Sequence, residues 1–419
     1  AVQIPDVPPQ LLAALVEAAA GQRLALVGGV VRDLLLHRHH QDPWRGLPDL
    51  DLVVEGRAAD LVGRLPAALE RQFGSRVPIR DQHHGRYGTA ELELELPPEC
   101  GGRWLLDVAS ARREHYPRAA ANPEVTLGTL EQDLARRDLT VNAMALELNA
   151  TAATGGDTVR LLDPYGGQGD LALRQLRFLH ASSLRDDPTR LLRAARYGAR
   201  LGMAMAPEAL AQVATTLQAW PWSWRLGDGP SGAPPALGTR LRMELELLLE
   251  REPWPLALGL LQQWGGLDLV DPQLQHHHAW RHRLRWARRL QLPMVVAMVA
   301  NAGDPLGLAD RLQLPDRQRR WLGQMLDLQA ALQQAPAPRL ASAWSALCEA
   351  PGRSPQAAAL LLLRGVGPRQ PLLRWWLHWR HVGPPFTAQQ VMEAEGLCAG
   401  PALGQRLRLL RAEMLDQLP

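Results

Sequence analysis

Residues 24–33 read LALVGGVVRD, and residues 49–54 read DLDLVV. In the first stretch, the short apolar run Leu24–Val27 ends in two glycines and continues as a helix-like segment over Val30–Leu36. In the second, the apolar run Leu50–Val54 is preceded by Asp49 and contains Asp51. Two runs of strand length on either side of a helix predict the start of an α/β or α+β domain.

Downstream, two further strand patterns are followed by a long region of helical periodicity. Ala90–Leu96 (AELELEL) alternates strictly between apolar and acidic residues, which is typical of a half-buried strand, and Leu105–Val108 is a further short strand. From Leu184 onward the sequence has long stretches with helical periodicity, broken by the Pro/Gly/Trp-rich segment Trp220–Gly238, a predicted linker or surface loop. A second break lies around Gln334–Pro338. The expected fold is therefore α+β, a small mixed-sheet head followed by helices.

Composition restricts the class of protein. The chain has 419 residues, of which 46% are hydrophobic and 21% charged, as in globular proteins of more than one domain. No apolar run approaches the about 18 residues of a membrane span, and the first residues lack the pattern of a signal peptide. Cys100, Cys348 and Cys398 have no metal or disulfide spacing, which favours reduced thiols in a cytoplasmic protein.

The positive charge is unevenly distributed. All 46 basic residues are arginine, against 43 acidic ones, for a net charge of +3. A cluster in the C-terminal half suggests a polyanionic partner, with a solvated helix face as the alternative. Its members are Arg281, Arg283, Arg285, Arg288 and Arg289.

The segment Asp49-Leu50-Asp51 is a candidate metal site. Side chains alternate along a strand, so Asp49 and Asp51 point to the same side, where two like charges are costly unless a cation lies between them. Magnesium prefers carboxylates together with substrate phosphates. Exposed acids at a strand edge are the alternative.

Gly28-Gly29 strengthens the metal interpretation. Glycines at a strand-to-helix turn let backbone N–H groups and the helix N-terminus approach a triphosphate, and Arg32 adds charge one turn later. The stretch is neither a dinucleotide-binding nor a Walker motif. Two glycines followed by D-x-D on a second strand are the pattern of polymerase-β-like nucleotidyltransferases.

Four ordered motifs then resemble one family. GGVVRD with DLDLV, RRDLTVNAMA (Arg136–Ala145) and DDPTRLLRAARYGARLGM (Asp186–Met203) resemble the signatures of class II tRNA nucleotidyltransferases and bacterial poly(A) polymerases. GTRLRMELELLL resembles a family helix with an E-R-x-x-x-E-L core, although Thr239 stands at the first Glu, so only Arg240 and Glu244 match. The resemblance covers about residues 24–250.

The resemblance implies roles for individual residues. Asp49 and Asp51 would hold Mg²⁺, and Asp107 would be a third catalytic carboxylate that deprotonates the RNA 3′-hydroxyl, with a structural acid as the alternative. The nucleotide-binding residues it implies are Gly28, Gly29, Arg32, Arg136, Arg137, Asp138, Asn142, Asp187, Arg190, Arg193 and Arg196.

Asp187 and Arg190 form a candidate base-reading pair. Cytosine and adenine each present a ring-nitrogen acceptor beside a donor amine, so an arginine fork donates to the ring while a carboxylate accepts from the amine. Guanine and uracil carry N–H at that ring position, so the pair selects C and A without a template. Asp187 before Pro188 is also a typical helix N-cap, and both roles are compatible.

Three other segments indicate a function less clearly. The stretch His37–Gly46 is longer than the compact family loop; we interpret it as a polar surface insertion, with a metal site at His37, His39, His40 and Asp42 as the alternative. Phe386–Ala412 resembles the family's terminal helical segment. Trp375, Trp376 and Trp379 have helical spacing that favours core packing over RNA stacking beside Arg374 and Arg380.

The sequence therefore predicts an enzyme that adds C and/or A to the tRNA 3′ end from CTP and ATP. The alternatives are a poly(A) polymerase, a CC-only or A-only enzyme, and a catalytically inactive RNA-binding protein. The distinguishing loop, roughly Ala111–Glu131, has no clear pattern. Expected domains are a nucleotidyltransferase head (1–150), a helical neck that recognises the base (151–250), a body (251–335) and a tRNA-binding tail (336–419).

Overall fold

The computed structural model describes residues 4–44, 46, 49–84, 88–148, 160–225, 227–334 and 337–418. It divides into two compact units, Ala1–Ser223 and Trp224–Pro419. Within the described residues, no helix combines the length and the apolar character needed to cross a membrane.

The first unit is built on a mixed sheet. Its described residues form seven strands, β1 (Leu24–Val27), β2 (Leu50–Val54), β3 (Ile79–His84), β4 (Thr89–Glu95), β5 (Arg103–Ser110), β8 (Ala145–Leu148) and β9 (Arg160–Leu162). They lie in the order β3-β4-β5-β2-β1-β8-β9. Among these described strands β2 and β5 pair in parallel, and the other neighbours are antiparallel.

Two smaller strand pairs accompany the sheet. β6 (Arg112–His115) and β7 (Glu124–Leu127) form an antiparallel hairpin, and β10 (Gln175–Leu176) pairs in parallel with β11 (Ala204–Met205). The helices of this unit are α1 (Pro9–Ala19), α2 (Gly29–His40), α3 (Ala58–Phe73), α4 (Leu130–Ala135), α5 (Gly167–Ala172), α6 (Ser183–Asp186), α7 (Thr189–Leu201) and α8 (Pro207–Ala219).

A core cluster fixes α4 against the sheet. Leu130 and Leu134 are one turn apart on α4 and pack with Val27 of β1 and Val53 of β2, all four being buried. The helix begins at a capping box, in which the Thr129 hydroxyl accepts from the Gln132 amide. The residues that follow α4 are thereby held beside the ends of β1 and β2.

The second unit consists of helices in its described residues. Several begin with a side-chain cap, such as Asp304, which accepts from the Gly307 amide. The helices are α9 (Thr239–Arg251), α10 (Trp254–Gln263), α11 (Pro272–His276), α12 (Ala279–Leu284), α13 (Met294–Val299), α14 (Pro305–Arg311), α15 (Asp316–Gln334), α16 (Ala341–Cys348), α17 (Pro355–Arg364), α18 (Arg369–Leu377), α19 (Ala388–Glu395) and α20 (Pro401–Asp416).

The α+β prediction is confirmed, since a small mixed sheet precedes a helical region. The core interpretation of Trp375, Trp376 and Trp379 is confirmed by their burial. The predicted linker Trp220–Gly238 contains the boundary between the two units. Within it, Trp222 and Trp224 are buried and donate to the carbonyls of Arg185 and Gly229. The finer division into four domains stays a prediction.

Candidate active site

Three carboxylates converge at the centre of the sheet. Asp51 of β2 lies in register with Asp107 of the parallel strand β5, and Asp49 immediately precedes β2. Because alternate residues share a face, Asp49 and Asp51 reach the same side. Each carboxylate offers an oxygen that lies within 4.8 Å of those of the other two. Among the described residues, no other group of three or more potential ligand residues has this spacing.

The charge of this trio favours a bound cation. Burial, together with the neighbouring Asp49 and Asp107, raises the pKa of Asp51 to about 6, while Arg137 and Arg32 act in the opposite direction. Three half-buried carboxylates that repel one another form a donor set of the hard oxygen type that divalent cations such as Mg²⁺ prefer. The residues present therefore fit a divalent metal.

Gly28 brings the backbone close to this trio. It ends β1, caps α2 and has φ of +68°, a conformation that favours glycine. A Cβ there would lie 3.3 Å from Arg137 Nη1 and 3.4 Å from Asp51 Oδ2. A side chain would therefore crowd both charged groups. Gly29 then starts α2, so the helix N-terminus follows directly.

Arg136 and Arg137 are held by a buried acid. Asp133, only 1% exposed on α4, accepts from Arg136 Nη2 at 2.8 Å and from Arg137 Nη2 at 3.0 Å. Arg136 also donates to Glu114 of β6 at 3.2 Å. Burial alone would raise the pKa of Asp133, but the two guanidinium groups outweigh it and hold the pKa below its usual value. Arg137 Nε is buried and has no hydrogen-bond partner.

These groups line a cavity of about 310 Å³. Its wall carries Asp51 and Asp107 together with Arg136 and Arg137, so carboxylates and guanidinium groups face the same space. Such a cavity has the charges needed to hold an anionic phosphate chain against carboxylate-bound cations.

A second network surrounds Asp138, which is 5% exposed. Its Oδ1 accepts from the Leu139 amide at 2.8 Å and from Asn142 at 3.2 Å, and its Oδ2 accepts from Arg193 Nε at 2.8 Å. Burial opposes the charge, yet Arg193 and these hydrogen bonds lower the pKa of Asp138 to about 2. Asn142 in turn accepts from Arg32 Nη1 at 2.8 Å.

Asp187 and Arg190 lie at the start of α7, and both are buried. Asp187 Oδ1 accepts from the Thr189 amide at 3.1 Å and from the Thr189 hydroxyl at 2.6 Å, so the predicted helix-capping contact is present. Arg190 donates through Nη2 to the Arg136 carbonyl at 2.9 Å, whereas its Nη1 is buried and has no partner. The guanidinium group thus retains an unused donor next to the RRD segment.

The structure does not bring every predicted residue to the cavity. Arg196 lies half-buried on α7, one turn beyond Arg193. In the insertion, the His37 ring contacts the Asp42 carbonyl, and Asp42 pairs with Arg174 at 3.0 Å. Among the residues that the structure describes, these side chains form no cluster of potential metal ligands.

Sequence reasoning missed Asp133 and Glu114. The spacing of Asp133, three and four residues before the two arginines on a helix, is a recognisable signal for side-chain pairs. Glu114 gave no comparable signal, because it reaches Arg136 from a separate hairpin.

Comparisons with known proteins identify the family of this chain. A family model described as the Poly A polymerase head domain matches residues 24–177. The chain is 36% identical over 392 residues to the CC-adding tRNA nucleotidyltransferase of Deinococcus radiodurans, covering 93% of this chain and 84% of that protein. It is 34% identical over 273 residues to the A-adding tRNA nucleotidyltransferase of Aquifex aeolicus, covering 63% of this chain but only 28% of that protein.

Among solved structures, the apo form II of a CCA-adding enzyme superimposes with a TM-score of 0.72, covering 99% of this chain and 94% of that one. Its sequence identity is 23%, so this likeness concerns the fold. The extended match to the Deinococcus protein goes further, and it shows that this chain belongs to the class II tRNA nucleotidyltransferases, a family of nucleotidyl-transferring enzymes.

Proposed function

We propose that this chain completes the 3′ end of tRNA by adding C and A residues from CTP and ATP without a nucleic-acid template. The observation that carries the proposal is the Asp49, Asp51 and Asp107 trio, whose oxygens lie within 4.8 Å of one another beside a cavity walled by Arg136 and Arg137. The tRNA 3′-oxygen attacks the α-phosphorus of the nucleotide, and pyrophosphate leaves.

We assign the metal site to Asp49 and Asp51 and the metal to Mg²⁺, because the donors are carboxylates and the substrate brings phosphate oxygens. When bound, such a cation neutralises charge on the triphosphate and favours ionisation of the 3′-hydroxyl. Asp107, opposite Asp51, accepts the proton of that hydroxyl. Arg136 and Arg137, fixed by Asp133, position the triphosphate.

The remaining residues select the nucleotide. Asp138, Asn142 and Arg32 form a buried network suited to a ribose, while Gly28 and Gly29 let the chain approach the phosphates. Asp187 accepts from the base amine and Arg190 donates to the ring acceptor, for which its buried Nη1 is available. Arg193 and Arg196 add positive charge along α7.

A CC-only enzyme is the second candidate. The Deinococcus relative, named as CC-adding, aligns with 93% of this chain, whereas the Aquifex A-adding relative aligns with 63%. We place the enzyme in the cytoplasm, where tRNA and nucleoside triphosphates occur together.

One experiment separates these functions. tRNA transcripts that end before CCA, after C or after CC are offered CTP, ATP or both with Mg²⁺, and the products are resolved to single nucleotides. Completion of all three supports CCA addition, whereas extension by C alone supports the CC-only candidate and extension of the CC-ending transcript alone supports an A-only enzyme. Long A tracts would identify a poly(A) polymerase, and no extension with intact tRNA binding would identify an inactive RNA-binding protein.

A further inference from the structure

Two segments of the second unit lack acidic residues altogether. Residues 272–303 and residues 350–392 each contain five arginines and neither Asp nor Glu, although the whole chain has a net charge of only +3. Such segregation of charge is uncommon for a merely solvated surface, where both signs are interspersed. It indicates a polyanionic partner.

The two segments meet in space. Helix α12 packs against α17, and α17 packs against α18. Residues of these helices and of the turn after α12 line an open cleft of about 400 Å³. We call this the Trp286 cleft. None of the described residues that line it is acidic, and its floor is formed by Leu290, Leu361 and Leu372.

Arg283 builds the cleft. It donates through Nε to the Leu363 carbonyl at 2.6 Å and through Nη2 to the Arg364 carbonyl at 3.0 Å, so it closes the C-terminal end of α17. Its role is therefore structural. Arg285 and Arg369, by contrast, line the cleft and are exposed.

The cleft also exposes an indole. Trp286 is 36% exposed and lines the cleft, with the Arg289 guanidinium 4.7 Å from its ring centroid. Val366 beside it is 38% exposed. The neighbouring Trp280 and Trp375 are buried, so core packing explains them but not Trp286. An exposed aromatic face between arginines is the arrangement that holds an unpaired nucleobase between phosphates.

We propose that the Trp286 cleft binds one unpaired nucleobase of the RNA substrate, stacked on Trp286, while the flanking phosphates contact Arg285 and Arg369. The inference rests on the proposed function for the identity of the RNA. A bare phosphate or a paired helix would use the arginines but would leave the indole and the leucine floor unused. An unpaired base uses both.

The test measures binding of a tRNA transcript that ends before CCA to the full chain, without CTP or ATP. Trp286→Ala is expected to weaken binding about tenfold or more, because base stacking on an aromatic ring is lost. Trp286→Leu keeps apolar packing and guards against misfolding, and it should weaken binding similarly. Trp321→Ala is the matched control, since Trp321 also has an arginine, Arg317, 5.1 Å from its ring but does not line the cleft.

Two further measurements separate stacking from charge. Arg285→Ala and Arg369→Ala should each reduce the dependence of log affinity on log salt by about one unit, whereas Trp286→Leu should leave it unchanged. A blunt-ended RNA duplex with no unpaired nucleotide should bind wild type and Trp286→Leu equally. The proposal would be overturned if Trp286→Leu weakened the binding of tRNA and of the blunt duplex equally, or if both Trp286 variants bound tRNA as wild type does. Wild-type tRNA extension is followed separately, so that its failure would reject the proposed function without touching this binding result.

Discussion

Asp51 and Asp107 are register partners on the adjacent parallel strands β2 and β5. Partners in register present their side chains to the same face of a sheet, so the two carboxylates lie side by side, and Asp49 adds a third charge. Burial and the repulsion from Asp49 and Asp107 raise the pKa of Asp51 to about 6. The sheet thus holds together charges that destabilise the metal-free protein and that a divalent cation relieves.

Asp51→Asn is expected to abolish nucleotide addition and to stabilise the metal-free protein at neutral pH. Since the pKa of Asp51 is raised from 3.8 to about 6, its ionisation costs folding stability as pH rises through this interval. The asparagine removes that cost, a gain on the order of 1–3 kcal/mol above pH 7. The measurement is thermal unfolding in EDTA from pH 4 to pH 8, with labelled CTP incorporation alongside.

At pH 4, wild-type Asp51 is already protonated, so the advantage of Asp51→Asn should vanish there. A stability difference that is the same at pH 4 and pH 8 would contradict the assigned electrostatics. Retained incorporation of CTP would contradict the catalytic assignment.

Asp133→Asn should raise KM for CTP about tenfold and also lower the free energy of unfolding, because Asp133 is buried. The asparagine cannot neutralise both Arg136 and Arg137, so the arginines are expected to turn toward Asp51 and Asp107, and charged hydrogen bonds of about 1.5–3 kcal/mol are lost. Steady-state kinetics at saturating tRNA, with thermal unfolding, measure both effects.

Glu131→Gln provides the control for this change. Glu131 is an acid of the same helix, but its side chain is 52% exposed and pairs with Arg23 instead. Its replacement should leave KM for CTP unchanged. If Asp133→Asn lowered stability yet left KM at the wild-type value, Asp133 would have no role in positioning the arginines.

Local sequence patterns predicted the centre of the sheet because its strands are short and apolar. The bounds of β1 and β2 match the predicted runs, and Asp107 falls in the predicted strand Leu105–Val108, which is part of β5. The hairpin strand β6 was not recognised because its sequence, RREH, is entirely polar. Its one contribution at the site, Glu114, depends on a long-range contact that periodicity does not report.

The burial of tryptophans was predictable only where they recur at helical spacing. Trp375 and Trp376 fall on α18 and pack as expected. Trp222 and Trp224 lie in irregular structure, and their burial depends on hydrogen bonds to the carbonyls of Arg185 and Gly229 and on Arg311 4.6 Å from the Trp224 ring. No local pattern encodes such contacts.

Asp138→Asn should destabilise the protein at pH 7 by about 2 kcal/mol, since the pKa of Asp138 is lowered to about 2 by Arg193 and its hydrogen bonds. A carboxyl group whose pKa is lowered on folding stabilises the protein above its unfolded-state pKa near 4. This stabilisation is lost as the pH falls toward 2. The difference between wild type and variant in urea unfolding should therefore shrink from pH 7 to pH 3. A difference that did not change with pH would mean that the Arg193 pair contributes nothing.

Base selection gives the most particular prediction, made with Asp187→Asn. Asparagine keeps an oxygen for the Thr189 amide and hydroxyl, which Asp187 Oδ1 binds at 3.1 and 2.6 Å, so helix capping and thermal stability should persist. If Asp187 also reads the base amine, however, the amide can donate to a base carbonyl, and the variant should admit UTP while using CTP and ATP less well. The loss is about 1–3 kcal/mol for a charged hydrogen bond, measured as the ratio of kcat/KM values for CTP and UTP. Thr189→Val, which removes only the hydroxyl contact, should leave that ratio unchanged. Full preference for CTP and ATP in Asp187→Asn would make Asp187 a helix cap alone and place base reading on other residues.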